Sequence, residues 1–192
     1  MDTYLNNTDT KKLDEVFKNT GTNSEQFELM CDRIVKQYSD GLDNLMKDLY
    51  VECVQTSSPA MSTLEKYYLE LSNMVYFMIE KCEKLGVYAD MSEESYKEVY
   101  SRSYLNLSSN KDIAGKSKST VAEMQSASAL SSQYENVVKE IYDRAYKIVK
   151  GKVSAAQDMM NCIRKILTTR LSEMQLSSFD SNKIKTGVEY ND

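Results

Sequence analysis

The sequence predicts an all-α protein: a long antiparallel helical hairpin with a small N-terminal helical unit, assembling into oligomers. Three observations predict it. One Pro and six Gly in 192 residues leave few breakers to interrupt a helix. Two long stretches carry apolar residues at alternating spacings of three and four, the mark of a helical seam. The polar segment between them is short, and two long helices joined by a short loop bury their seams on each other only by running antiparallel. An apolar content of 41% is ordinary for a chain with a packed core.

The elements follow in order. Residues 4–20 read as a short helix stopped at Gly21, in the stretch TGTN, where glycine accepts the left-handed conformation. Ser24 is the N-cap of a stronger helix to Val54, with Phe27, Cys31, Ile34, Tyr38, Leu42, Leu45, Leu49 and Val51 on its apolar face. The stretch QTSSPA, with the chain's one proline at Pro59, closes an acidic N-terminal unit over residues 1–56. The hairpin spans residues 60–176.

Its first arm carries Leu64, Tyr68, Leu71, Val75, Met78, Cys82 and Leu85 at heptad spacing. Gly86 and the stretch GVYADMSEE predict a kink or short break over residues 86–92, with Asp90 and Glu93 as a capping box that restarts the helix from Ser92 to Leu107. A polar loop follows over residues 108–118. The second arm runs from Thr120 to Leu176 as one helix, with Tyr142, Tyr146, Val149, Val153, Ala156, Met160, Ile163, Leu167 and Leu171 on its seam. Residues 177–192 lose the period and read as a flexible tail. A two-helix hairpin buries little by itself, so homo-oligomerisation is expected, with Met160, Ile163, Leu167 and Leu171 at the subunit contact.

Several chemistries are excluded. With no His in the chain, Ser-His-Asp and Cys-His arrangements and His-based metal sites are impossible. Neither GxxxxGK[ST] nor GxGxxG occurs. Cys31, Cys53, Cys82 and Cys162 stand singly and read as reduced core residues, so no metal and no cofactor is expected, and the chain reads as a non-enzyme. The longest apolar run, MVYFMI at residues 74–79, is far short of the ~20 residues that span a membrane, and MDTYLNNTDTKK has no apolar signal core. A cytoplasmic protein of a bacterial or phage-infected cell is expected, without membrane contact.

The net charge of −5 conceals an asymmetry. Residues 1–95 hold 9 Lys/Arg against 18 Asp/Glu, giving −9, whereas residues 96–171 hold 13 against 7, giving +6. The basic candidates for a nucleic-acid strand are Lys97, Arg102, Lys111, Lys116 and Lys118 around the loop, and Arg144, Lys147, Arg164, Lys165 and Arg170 on the second arm. Lys and Arg would hold phosphates, and Tyr96, Tyr100 and Tyr104, at i, i+4 and i+8, would stack on unpaired bases. Tyrosines at this spacing are more often packing residues, and scattered lysines on a long helix are usually a solvated face.

The stretches KEVYSRSYLNLSS (residues 97–109), KSKSTVAEMQSASA (116–129) and AAQDMMNCIRKILTTR (155–170) follow one another as a basic and aromatic helix end, a polar turn and a second helix with a basic C-terminal third. In this order the chain resembles the UvsY-type recombination mediators of tailed phages over residues 64–176. The resemblance implies a ring-like homo-oligomer that binds single-stranded DNA, helps displace single-strand-binding protein and loads a RecA-like recombinase. The acidic segment over residues 1–54 would then contact the recombinase or replace a contact made elsewhere in the family. The competing expectation is a phage- or bacterium-encoded interaction module, an inhibitor or assembly factor, whose acidic N-terminal half occupies a partner's basic groove.

Overall fold

The computed structural model describes residues 24–56, 58–109 and 120–186, with side chains from residue 27 to residue 178. The expected helix over 4–20, its stop at Gly21 and the loop lysines Lys111, Lys116 and Lys118 lie outside the described residues. Within them the protein is all-α. Four helices occur and no strand: α1 (Ser24–Leu49), α2 (Met61–Ser109), α3 (Val121–Ser131) and α4 (Gln133–Thr186), with a π-helical turn at Tyr50–Val54 after α1.

The α2 seam and the middle of the α4 seam, from Val149 to Ile163, are where the periodicity puts them, whereas at the start of α4 Ile141 and Ala145 take the buried places expected of Tyr142 and Tyr146. Along α2, Leu64, Leu71, Val75, Met78, Cys82 and Leu85 are buried, and the stripe continues to Ala89. One position is exchanged: Tyr67 is buried, and Tyr68 only half-buried. Along α4 the buried residues are Ile141, Ala145, Val149, Val153, Ala156 and Ile163, with Tyr142, Tyr146, Met160 and Leu167 half-buried beside them and Leu171 exposed. Each fully buried Leu or Met contributes about 1.5–3 kcal/mol, far more than helix propensity does per residue.

Three local expectations are corrected. Helix α2 runs 49 residues without a break, so the helix does not stop and restart over residues 86–92, and the Asp90–Glu93 capping box does not form. Gly86 faces the Tyr146 ring, and a Cβ there would lie 3.1 Å from Tyr146 Cε2. The glycine makes room for an aromatic ring. Ser92, inside the same helix, donates its hydroxyl to the Ala89 carbonyl at 2.8 Å.

The second arm, by contrast, is not one helix. It breaks at Ser132, where the backbone leaves helical geometry (φ −104°, ψ 14°). Ser132 Oγ donates to the Ser128 carbonyl at 2.9 Å, as does Ser131 Oγ at 2.9 Å. Serine hydroxyls that bond back to a carbonyl of the preceding turn compete with the backbone ladder and bend it. Upstream, Thr120 caps α3: Glu123 N–H donates to Thr120 Oγ1 at 3.2 Å, and Thr120 N–H donates to Glu123 Oε2 at 2.7 Å. The third correction is at the C-terminus, where α4 continues past Leu176 to Thr186.

The chain divides into two compact units, each drawing on both halves of the sequence. One holds residues 24–38, 80–109 and 120–150. In it Cys31, Val35, Cys82, Leu85, Met124, Ile141, Ala145 and Val149 are buried, the Tyr88 and Tyr142 rings meet at 6.1 Å, and the Ser103 and Ser131 hydroxyl oxygens lie 2.7 Å apart. The other holds residues 39–79 and 151–186, with Leu42, Leu49, Leu64, Tyr67, Leu71, Val75, Met78, Val153, Ala156 and Ile163 buried. There Lys152 Nζ donates to Asp43 Oδ2 at 2.5 Å and to Ser39 Oγ at 3.0 Å, and Ser39 Oγ donates to Asp43 Oδ2 at 3.0 Å. This closed polar cluster lets α4 present a lysine to α1 without leaving it unpaired.

Candidate nucleic-acid interface

The basic candidates divide according to what already neutralises them. Lys97 is exposed, and its ammonium lies 2.8 Å from Glu93 Oε1 and 3.4 Å from Glu94 Oε1. Those two carboxylates raise the lysine's pKa, and Lys97 in turn lowers that of Glu93. Arg102 pairs with Glu98 one turn back. Lys147 lies 2.6 Å from Asp143, whose carboxylate raises its pKa by hydrogen bonding. Each is an i,i+3 or i,i+4 helix pair.

A second group sits on aromatic faces. Arg144 places its guanidinium 5.9 Å above the Phe27 ring, Lys139 lies 5.6 Å above Tyr96, and Lys150 lies 5.3 Å above Tyr146 while donating to its hydroxyl at 3.3 Å. These cation–π contacts engage the cation and cover the ring. Tyr96 and Tyr100 are half-buried, with ring centroids 6.1 Å apart and planes inclined at 44°, and Tyr104 is half-buried as well. The rings are packed against neighbours over much of their area.

Arg170 has a different use. It is half-buried, and its guanidinium donates to the Pro59 carbonyl, which ties α4 to the chain just ahead of α2.

Arg164 and Lys165 are the remaining pair. Both are exposed on α4, and among the described residues no carboxylate lies within ion-pair distance of either. Residues 159–172 contain Arg164, Lys165 and Arg170 and no Asp or Glu, a cationic run bounded by Asp158 and Glu173. Arg164 donates to Asn161 Oδ1 at 3.2 Å, and Thr168 Oγ1 donates to the Arg164 carbonyl at 2.9 Å. Asn161, Arg164, Lys165 and Thr168 therefore form one exposed polar face with two cations and no anion, suited to phosphate oxygens. Asn161 and Thr168 escape a search for basic residues, although the missing Asp and Glu can be read from the sequence.

Of the four residues expected at a subunit contact, Ile163 is 2% exposed and belongs to the chain's own core. Met160 and Leu167 are half-buried, and Leu171 is 50% exposed. Among the described residues no three His, Cys, Asp or Glu side chains converge on a possible metal position, and no helix is long and apolar enough to cross a membrane. Compared with protein-family models, with curated proteins and with solved structures, the chain matches none.

Proposed function

We propose that this chain is a non-catalytic, self-associating helical accessory protein that binds single-stranded DNA through its phosphates and assists a RecA-like recombinase. The observation that carries the reading is the carboxylate-free cationic face of α4 around Arg164 and Lys165. In this reading α2 and the α3–α4 segment are the two arms of an antiparallel hairpin. Its contacts support that direction: Ser103 with Ser131, Tyr96 with Lys139, Tyr88 with Tyr142 and Gly86 with Tyr146, so numbers fall on one arm as they rise on the other. The pairs of Lys97, Arg102 and Lys147 are exposed and screened by water and salt, so a phosphate can displace their carboxylates. Two strong cations per chain bind weakly, and several copies on one strand multiply them by avidity. The recombinase as partner rests on the resemblance in the order of features to the UvsY-type recombination mediators.

Fluorescence anisotropy of a labelled oligo-dT across a salt series tests this reading. Expected are binding at low salt, a log–log salt slope of about −1.4 per subunit if Arg164 and Lys165 each neutralise one phosphate, and loss of most affinity in Arg164→Glu/Lys165→Glu. No binding at low salt, or affinity indifferent to that double variant, sinks it.

A second reading is favoured by one observation. With Lys97 and Arg102 tied to their own helix, the outer side of α2 over residues 87–98 presents Asp90, Glu94 and Glu98 around exposed Val87 and Met91. That acidic and apolar surface suits a basic protein partner, the interaction-module alternative. Recovery of a host protein on the immobilised chain, with no retention on single-stranded DNA, would select it.

A further inference from the structure

Helix α2 turns its seam inward, and its opposite side over residues 62–84 carries a second pattern. Lys66, Leu69, Asn73, Phe77 and Glu80 are all exposed, Leu69 by 68% and Phe77 by 52%. At 3.6 residues per turn they fall within about 40° of the direction of Asn73, while Leu71, Val75, Met78 and Cys82 point the other way. Tyr76 stands beside this stripe, its ring meeting Phe77 edge-on at 5.4 Å. Large apolar side chains in water on the far side of a helix that already has a core face mark a contact surface.

The stripe reads the same in both directions. Its spacings are three, four, four and three, apolar residues flank Asn73 on either side, and a cation at one end answers an anion at the other. We propose that this face is a two-fold interface between two copies of the chain, with the α2 helices antiparallel and the axis passing beside Asn73. Leu69 then meets Phe77 of the second copy, and Lys66 meets Glu80. One turn further out Ser62 meets Lys84, so no like charges face each other. An in-register parallel pairing would instead set Lys66 on Lys66 and Glu80 on Glu80. The charge pattern thus selects the antiparallel arrangement, and a two-fold contact requires such a self-complementary patch. Glu80 already lies 2.5 Å from Lys84 of its own helix, both side chains about two-thirds exposed, and its carboxylate can accept a second cation.

The inference rests on the self-association in the reading above, and not on its DNA contact. Sedimentation equilibrium at micromolar concentration tests it. The wild-type chain is expected to form dimers or even-numbered assemblies, and Phe77→Asp to weaken the α2 contact by roughly 30-fold or more with unchanged helical circular dichroism, because the side chain is exposed. Lys66→Glu and Glu80→Lys should each weaken association, and the two together restore it. In a Cys162→Ser background, Asn73→Cys is expected to cross-link to itself under mild oxidation. Ser62→Cys should link instead to Lys84→Cys. A monomer at every concentration, a mass unchanged by Phe77→Asp, or failure of the charge exchange to rescue overturns the interface, even if DNA binding survives. Loss of DNA binding with the dimer intact overturns the DNA contact alone.

Discussion

Gly86 and Gly151 occupy the interiors of two long helices and have opposite surroundings. At Gly151 nothing lies within 4 Å of where a Cβ would stand, so Gly151→Ala keeps every contact and removes the entropic cost of a helical glycine. Thermal unfolding should show a gain of about 0.5–1 kcal/mol. At Gly86 the Tyr146 ring fills the space, and Gly86→Leu should lose about 1–3 kcal/mol through overpacking. If both variants shift the melting temperature alike, the assignment of Gly86 to ring packing is wrong. Tyr67 presents a second contrast. Burial, then a hydrogen bond with the Glu52 carboxylate, push its phenol up to about 12, because both disfavour the phenolate. Between pH 10 and 12 the unfolded chain releases a proton that the folded chain retains, so stability falls as pH rises through that window. Alkaline titration of tyrosinate absorbance should contain a late phase that Tyr67→Phe removes.

At the scale of elements, what was legible depended on how many residues voted. The seams of α2 and α4 are each set by six or more apolar positions, so an exchange such as Tyr67 for Tyr68 shifts one side chain without moving the helix. Breaks depend on one or two residues, and there the sequence misled. Glycine at residue 86 has two uses, helix stop and close approach, and only the position of the Tyr146 ring, sixty residues away, distinguishes them. The serines near residue 132 have the converse ambiguity. Small residues read as packing surface, yet their hydroxyls turned back onto the Ser128 carbonyl. The start of α3 at Thr120 was legible from the end of the polar loop, and the structure adds the reciprocal bonds of Thr120 and Glu123 that fix it. Thr120→Ala should cost about 1 kcal/mol in chemical denaturation, and an unchanged midpoint would mean that the first turn of α3 adds nothing to the cooperative fold.

For the molecule as a whole, the charge asymmetry was legible and its disposition was not. A count of +6 over residues 96–171 says nothing about which cations have a carboxylate one turn away. Lys97, Arg102 and Lys147 do, whereas Arg164 and Lys165 do not. The outward stripe of α2 was likewise present in the letters, hidden because the inward seam accounts for the heptad. The division into units has a consequence for biosynthesis. Each unit joins an early segment to a late one, so the first cannot close its core until residue 150 has left the ribosome, and the second waits for the rest of α4. Synthesis proceeds at roughly 5–20 residues per second, so the α2 seam, from Leu64 to Ala89, waits in water for several seconds before its partner residues arrive. The nascent chain is therefore a natural client for chaperones, and a transcript truncated before residue 150 yields a polypeptide with an open seam and neither unit complete.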